Sequence, residues 1–84
     1  MNGHLVIDFR AEEGAVGRIV GLVERRGFEL RGISMTGGAP QSYLTIEVEA
    51  RDPGRRLEVL DLQLRRLHGV AGVRIFPSET AAVQ

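Results

Sequence analysis

The run His4-Leu5-Val6-Ile7-Asp8-Phe9-Arg10-Ala11-Glu12-Glu13-Gly14-Ala15-Val16-Gly17-Arg18-Ile19-Val20-Gly21-Leu22-Val23-Glu24-Arg25-Arg26-Gly27 changes hydrophobic period midway. Over 4–10 the period is two. Leu5, Ile7 and Phe9 share one face, and His4, Asp8 and Arg10 share the other, with Val6 breaking its polarity. That pattern predicts a strand with one buried side. Residues 11–14 form a turn, and Glu12 and Glu13 would complement the positive end of the helix that follows. Over 15–26 the period is helical, with Val16, Ile19, Val20 and Val23 at i, i+3, i+4 and i+7. Arg18, Glu24 and Arg25 lie opposite, and Gly27 is a natural residue for ending the helix. Gly17 and Gly21 fall on the side away from this stripe. Each costs about 1 kcal/mol against alanine in a helix, so either the surface tolerates them or another chain comes close.

Outward from this run the alternation resumes. Residues 28–36 read as a strand in which Phe28 and Leu30 are out of phase with Ile33 and Met35, and a bulge at Gly32 restores the register. Residues 37–41 form a loop that Pro40 keeps out of any strand. Over 42–50, Leu44, Ile46 and Val48 point inward, and Thr45, Glu47 and Glu49 outward, so the two strands form an antiparallel hairpin. Asp52 and Pro53 read as a helix cap and first position. Leu57, Leu60, Leu64 and Leu67 make a core stripe, and His68-Gly69 ends that helix. Val59 and Leu62 lie off the stripe, beside Arg55 and Arg66. Residues 70–76 are the last strand, with Val73 and Ile75 on one side, and 77–84 a frayed tail.

The order strand-helix-strand-strand-helix-strand predicts an α+β, ferredoxin-like sandwich. A four-stranded antiparallel sheet carries both helices on one face. The open face would hold Asp8, Arg10, Thr45, Glu47 and Glu49. The 84 residues allow one domain, 1–84, with its core over 4–76. At this size a single core is marginal, and a partner subunit is a common support. Eleven acidic and eleven basic residues cancel, which argues against generic nucleic-acid or anionic-membrane binding. No apolar run approaches the length of a membrane span. The chain enters its first strand with neither the charged segment nor the cleavage site of a secretion signal, so a cytoplasmic location is the expectation.

The inventory excludes much chemistry. Every basic residue is arginine, which removes Schiff-base and P-loop lysines, and the absence of cysteine removes thiol nucleophiles and thiolate metal sites. His4 and His68 are far apart in sequence and read as surface residues. Ser34, Ser42 and Ser78 have no evident base. Tyr43 is the single aromatic expected on the open face, which is thin for stacking RNA bases. A small phosphatase on this topology would need an anion cradle in the first loop, where Glu12 and Glu13 repel phosphate. No catalytic or metal-binding residues are expected.

The segment 12–28, with its acidic loop, Gly14-Ala15, Arg18-Ile19, Gly21-Leu22 and Arg26-Gly27-Phe28, resembles the opening of an ACT domain. The run 63–73 is similar to the second helix and final strand of that family. The likeness spans about 4–76 and is nearest to the short, isozyme II type of small subunit of acetolactate synthase. It implies a non-catalytic regulatory subunit of branched-chain amino acid biosynthesis, without an active site of its own, that activates a separate catalytic large subunit. That partner would carry thiamine diphosphate, magnesium and FAD, and this chain no cofactor. The open edges of a four-stranded sheet favour self-pairing, so a homodimer joined edge to edge is expected. The resemblance also implies an amino-acid effector site between the loop before the first helix and the second strand of a neighbouring chain. The matching positions are Ala11, Gly14, Ala15, Glu29 and Leu30. Backbone amides at Gly14 and Ala15 could hold a carboxylate. Valine-sensing relatives carry asparagines where this chain has Ala11 and Glu29, so weak or absent valine binding is expected. Val59, Leu62 and Arg66 are the expected interface with the catalytic chain. The alternatives are a free-standing sensor of another amino acid and, less well supported, a small hydrolase.

Overall fold

The computed structural model describes residues 2–38 and 40–77. Ser78 and the rest of the expected tail lie outside the described residues. The elements run β1 (Asn2–Arg10), α1 (Ala15–Arg25), β2 (Phe28–Gly37), β3 (Gln41–Ala50), α2 (Leu57–Arg65) and β4 (Val70–Pro77). The strands form one antiparallel sheet in the order β2-β3-β1-β4. This is the expected ferredoxin-like arrangement. No helix among the described residues is long and apolar enough to cross a membrane.

Alternation places Leu5, Ile7 and Phe9 of β1 and Leu44, Ile46 and Val48 of β3 under the helices, each almost fully buried. Leu57, Leu60 and Leu64 of α2 close over them, as does α1. The α1 face differs from the expected stripe. Ala15, Ile19, Leu22 and Val23 are buried, while Val16 and Val20 are half-buried. The core-facing direction is therefore rotated toward Leu22, and Val16 and Val20 lie on one flank.

Both edge strands carry a bulge. In β2, Leu30 faces Val48 and Gly32 faces Glu47, leaving Arg31 as the extra residue. This is the expected kink, and it turns Ile33 and Met35 to the helix side, opposite Ile46 and Leu44. In β4, Ala71 is the extra residue between the Phe9–Val70 and Asp8–Gly72 pairs. The strand continues through Pro77, which pairs with Gly3, so Pro77 belongs to the sheet rather than to a tail. Phe76 pairs with His4 and is exposed on the open face, so Tyr43 is not the single aromatic there.

The second helix starts later than Asp52-Pro53 implies. Asp52 accepts hydrogen bonds from the Gly54 amide through its carboxylate (3.0 Å) and from the Arg55 amide through its carbonyl (3.2 Å). This closes a local turn, an alternative that aspartate side chains offer to helix capping. The helix begins at Leu57, after Arg56, with no side-chain cap.

Candidate functional site

The loop between β1 and α1 is tied to its surroundings through backbone groups. The Ala11 amide donates to the Pro40 carbonyl (2.8 Å), and the Ala15 amide to the Glu12 carbonyl (3.0 Å). Gly14 is the residue before the helix, with φ 82°, a left-handed conformation that suits glycine. No side chain caps α1. Ala15 is buried. Glu12 accepts a hydrogen bond from Arg18 (3.3 Å) and lies 3.7 Å from His68 Nε2, joining the start of α1 to the end of α2. Glu12 is thus held by side chains, beyond its interaction with the helix dipole.

Glu29 and Leu30 lie at the other end of the sheet. Glu29 pairs with Glu49, which faces Asn2, whereas Ala11 follows Arg10, which faces Gln41. At about 3.3 Å per residue the two groups are on the order of 25 Å apart along β2. Within one chain they form no common site. The Glu29 carboxylate is also engaged: Arg31 lies 3.6 Å from it and also pairs with the Glu49 carboxylate at 3.1 Å. Leu30 packs against the core.

The two sheet edges are unlike. At the β4 edge, Arg65 donates to the Val73 carbonyl (2.6 Å) and to Asp61 (2.8 Å), so a side chain covers that part of the edge. At the β2 edge, Ile33 and Met35 are 49% and 52% exposed although they face the helix side. Val16 and Val20 continue this surface. They lie on the α1 flank away from Arg18, and the Arg18–Glu12–His68 chain marks the flank that faces α2. A side chain at Gly17 would meet nothing within 4 Å, so α1 is also open along its outer face.

Val59 and Leu62 of α2 and Arg66, the residue that caps its C-terminal end, stand at i, i+3 and i+7 and share the outward face. Val59 and Leu62 are 48% and 60% exposed. Arg26 donates to Gln63 (3.1 Å) beside this stripe. The structure therefore brings together the three expected partner-contact residues.

His4 and His68 are exposed, and their nearest acids are Glu47 (3.6 Å) and Glu12 (3.7 Å) respectively. The Ser42 hydroxyl is buried and donates to the Gly38 carbonyl (3.3 Å), with no histidine beside it. Among the described residues no three histidine or carboxylate groups stand close enough to hold a metal ion.

The ACT domain family model matches residues 11–73. No curated protein sequence matches the chain. Among solved structures, the ACT domain from GTP pyrophosphokinase of Chlorobium tepidum superposes with a TM-score of 0.74 at 17% identity, covering 90% of this chain and 97% of that one. The C-terminal domain of the MgtC protein from Mycobacterium tuberculosis gives 0.69 at 23% identity, covering 99% and 93%. A formyltetrahydrofolate deformylase from Pseudomonas putida KT2440 gives 0.75 at 10% identity. There the match covers 93% of this chain and 29% of the other. Likenesses at these identities speak to the fold.

Proposed function

The chain belongs to the ACT domain family of regulatory domains, and from that premise we propose that it is the non-catalytic small subunit of acetolactate synthase. It acts as a homodimer on a separate catalytic chain, which carries the thiamine diphosphate, magnesium and FAD. The observation that carries this reading is the presence of two separate uncovered apolar surfaces on so small a domain. One runs along the β2 edge through Ile33 and Met35 to the Val16 flank of α1. The other is the Val59–Leu62 stripe of α2. Contiguous exposed apolar surface is a mark of interaction sites. The first suits a second copy, because antiparallel pairing of two β2 strands brings Glu29 and Leu30 of one chain toward residues 11–15 of the other. The second is left for the catalytic chain. The resemblance of 12–28 and 63–73 to acetolactate synthase small subunits supplies the identity of that chain.

The test is reconstitution. The purified chain is added to the thiamine-dependent catalytic subunit from the same organism, and acetolactate formation and co-elution are measured. A severalfold rise in rate with a stable complex is expected. No complex and no rate change overturn the reading. Valine, titrated calorimetrically, should bind no tighter than millimolar, because Ala11 offers no side-chain hydrogen bond and Glu29 adds a negative charge. A micromolar dissociation constant would refute that argument.

A further inference from the structure

The acidic and basic residues cancel in number but not in place. Glu29, Glu47 and Glu49 lie on β2 and β3, and Glu12 and Glu13 precede α1. Arginines gather instead where α1 ends and α2 begins. The Arg51 amide donates to the Gly27 carbonyl (2.9 Å), which brings residues 51–56 against the turn between α1 and β2. There Arg26, Arg55 and Arg56 line a groove of about 140 Å³ over the buried Phe28 and Leu60, with the half-exposed Val59 at its lip. No acidic residue lines it.

The arginines are oriented but incompletely neutralised. Arg26 donates to the neutral Gln63 side chain (3.1 Å). Arg55 crosses Gly27, where a Cβ would come within 2.8 Å of Arg55 Cδ, and pairs with Asp52 (3.3 Å). Arg26 and Arg56 have no carboxylate partner among the described residues. A cleft lined by one sign of charge concentrates the opposite sign. Guanidinium forks match carboxylates in a bidentate way, and a side chain already held in place loses less freedom on binding.

The groove also opens onto apolar surface. Val59 begins the exposed stripe that continues through Leu62 to Arg66. An inorganic anion would fill the groove and leave that stripe in water. A nucleic acid draws its affinity from a longer track of cations, and here Asp52 and Glu58 stand beside the arginines in the chain. A protein segment that carries carboxylates next to apolar side chains covers both features.

We propose that the groove and the outward face of α2 dock an acidic segment of the catalytic chain, its carboxylates on Arg26 and Arg56 and its apolar side chains on Val59 and Leu62. This inference rests on the subunit reading above and adds the chemistry of the surface that the partner presents.

The experiment is calorimetric titration of the thiamine-dependent catalytic subunit with the full chain at about 0.1 M and about 1 M salt, where screening acts over about 10 and about 3 Å. The doubly substituted chain (Arg26→Gln, Arg56→Gln) should bind at least tenfold more weakly in low salt and match the parent in high salt. Arg26→Lys with Arg56→Lys keeps both charges and should recover most of the loss. Both positions are exposed, and circular dichroism melts verify that each variant is folded. Hydrogen exchange on the complex should protect a stretch of the catalytic chain that contains aspartate or glutamate. A complex that ignores the glutamine substitutions, or a protected stretch without an acid, overturns the docking proposal and leaves the subunit reading standing. A parent chain that does not bind the catalytic subunit overturns both. Duplex DNA bound as tightly as the catalytic subunit would assign the arginines to phosphate and overturn the proposal as well.

Discussion

Replacing Ile33 and Met35 together by lysine should separate the proposed homodimer while leaving each chain folded. The two residues are about half exposed on the helix side of the β2 edge. Full burial of such a side chain stabilises by about 1.5–3 kcal/mol, so covering the open half contributes about 1 kcal/mol. A two-fold axis uses each residue twice, giving four half-burials and about 4 kcal/mol. At about 1.4 kcal/mol per factor of ten, the dissociation constant should rise about a thousandfold. Lysine is chosen because its aliphatic stem keeps the inward half of each contact while the ammonium reaches water. Like charges then meet across the axis, so a thousandfold is a lower bound. Sedimentation equilibrium measures the constant, and a thermal melt by circular dichroism reports the fold. A variant that is folded and dimerises within tenfold of the parent chain would refute the β2 edge as the interface, as would a parent chain monomeric at hundreds of micromolar.

The other substitutions probe separate surfaces. Arg65→Ala removes the donor that covers the Val73 carbonyl and leaves the mostly buried Asp61 carboxylate unpaired. It should cost about 1 kcal/mol in urea unfolding, given that Arg65 is half exposed. It should also raise the fraction of species larger than a dimer in light scattering, because an uncovered edge strand pairs readily. Leu60→Ala should destabilise by about 2–5 kcal/mol, since Leu60 is fully buried. Leu62→Ala, on the outward face of the same helix, should stay within about 0.5 kcal/mol of the parent and weaken only binding to the proposed catalytic partner. Gly3→Val should cost about 1–3 kcal/mol in the same unfolding assay, because its Cβ would lie 2.7 Å from Leu57 Cδ1 and 3.0 Å from the Phe76 carbonyl.

What could be read from sequence followed from how sharply two environments differ. β1 and β3 sit in the middle of the sheet with one dry and one wet face, so their alternation is clean. The Arg31 bulge was legible because Phe28 and Leu30 fall out of phase with Ile33 and Met35. The Ala71 bulge was not, because Val70, Ala71, Gly72 and Val73 offer no polar residue to mark a phase. Asp52-Pro53 misplaced the start of α2 because the same side chain serves a turn as readily as a cap. The separation of Glu29 and Leu30 from Ala11, Gly14 and Ala15 within one chain depends on cross-strand register, which no local spacing marks.

The misread helix face has a physical cause that bears on assembly. Ala15, Val16, Ile19, Val20, Leu22 and Val23 form an apolar arc on α1 wider than this sheet covers. A helical period shows that an arc is apolar, but it does not show which part faces the chain's own sheet. The i, i+3, i+4, i+7 spacing picks out Val16, Ile19, Val20 and Val23 on one side of the arc, whereas packing buries Ala15, Ile19, Leu22 and Val23. The residues left over, Val16 and Val20, are on the flank that leads to Ile33 and Met35. A lone domain gains little from apolar residues it leaves half exposed, whereas a dimer buries them. The width of the arc in the sequence is thus itself a signal for a second chain, and it adds to the β2 edge independently of any likeness to known proteins.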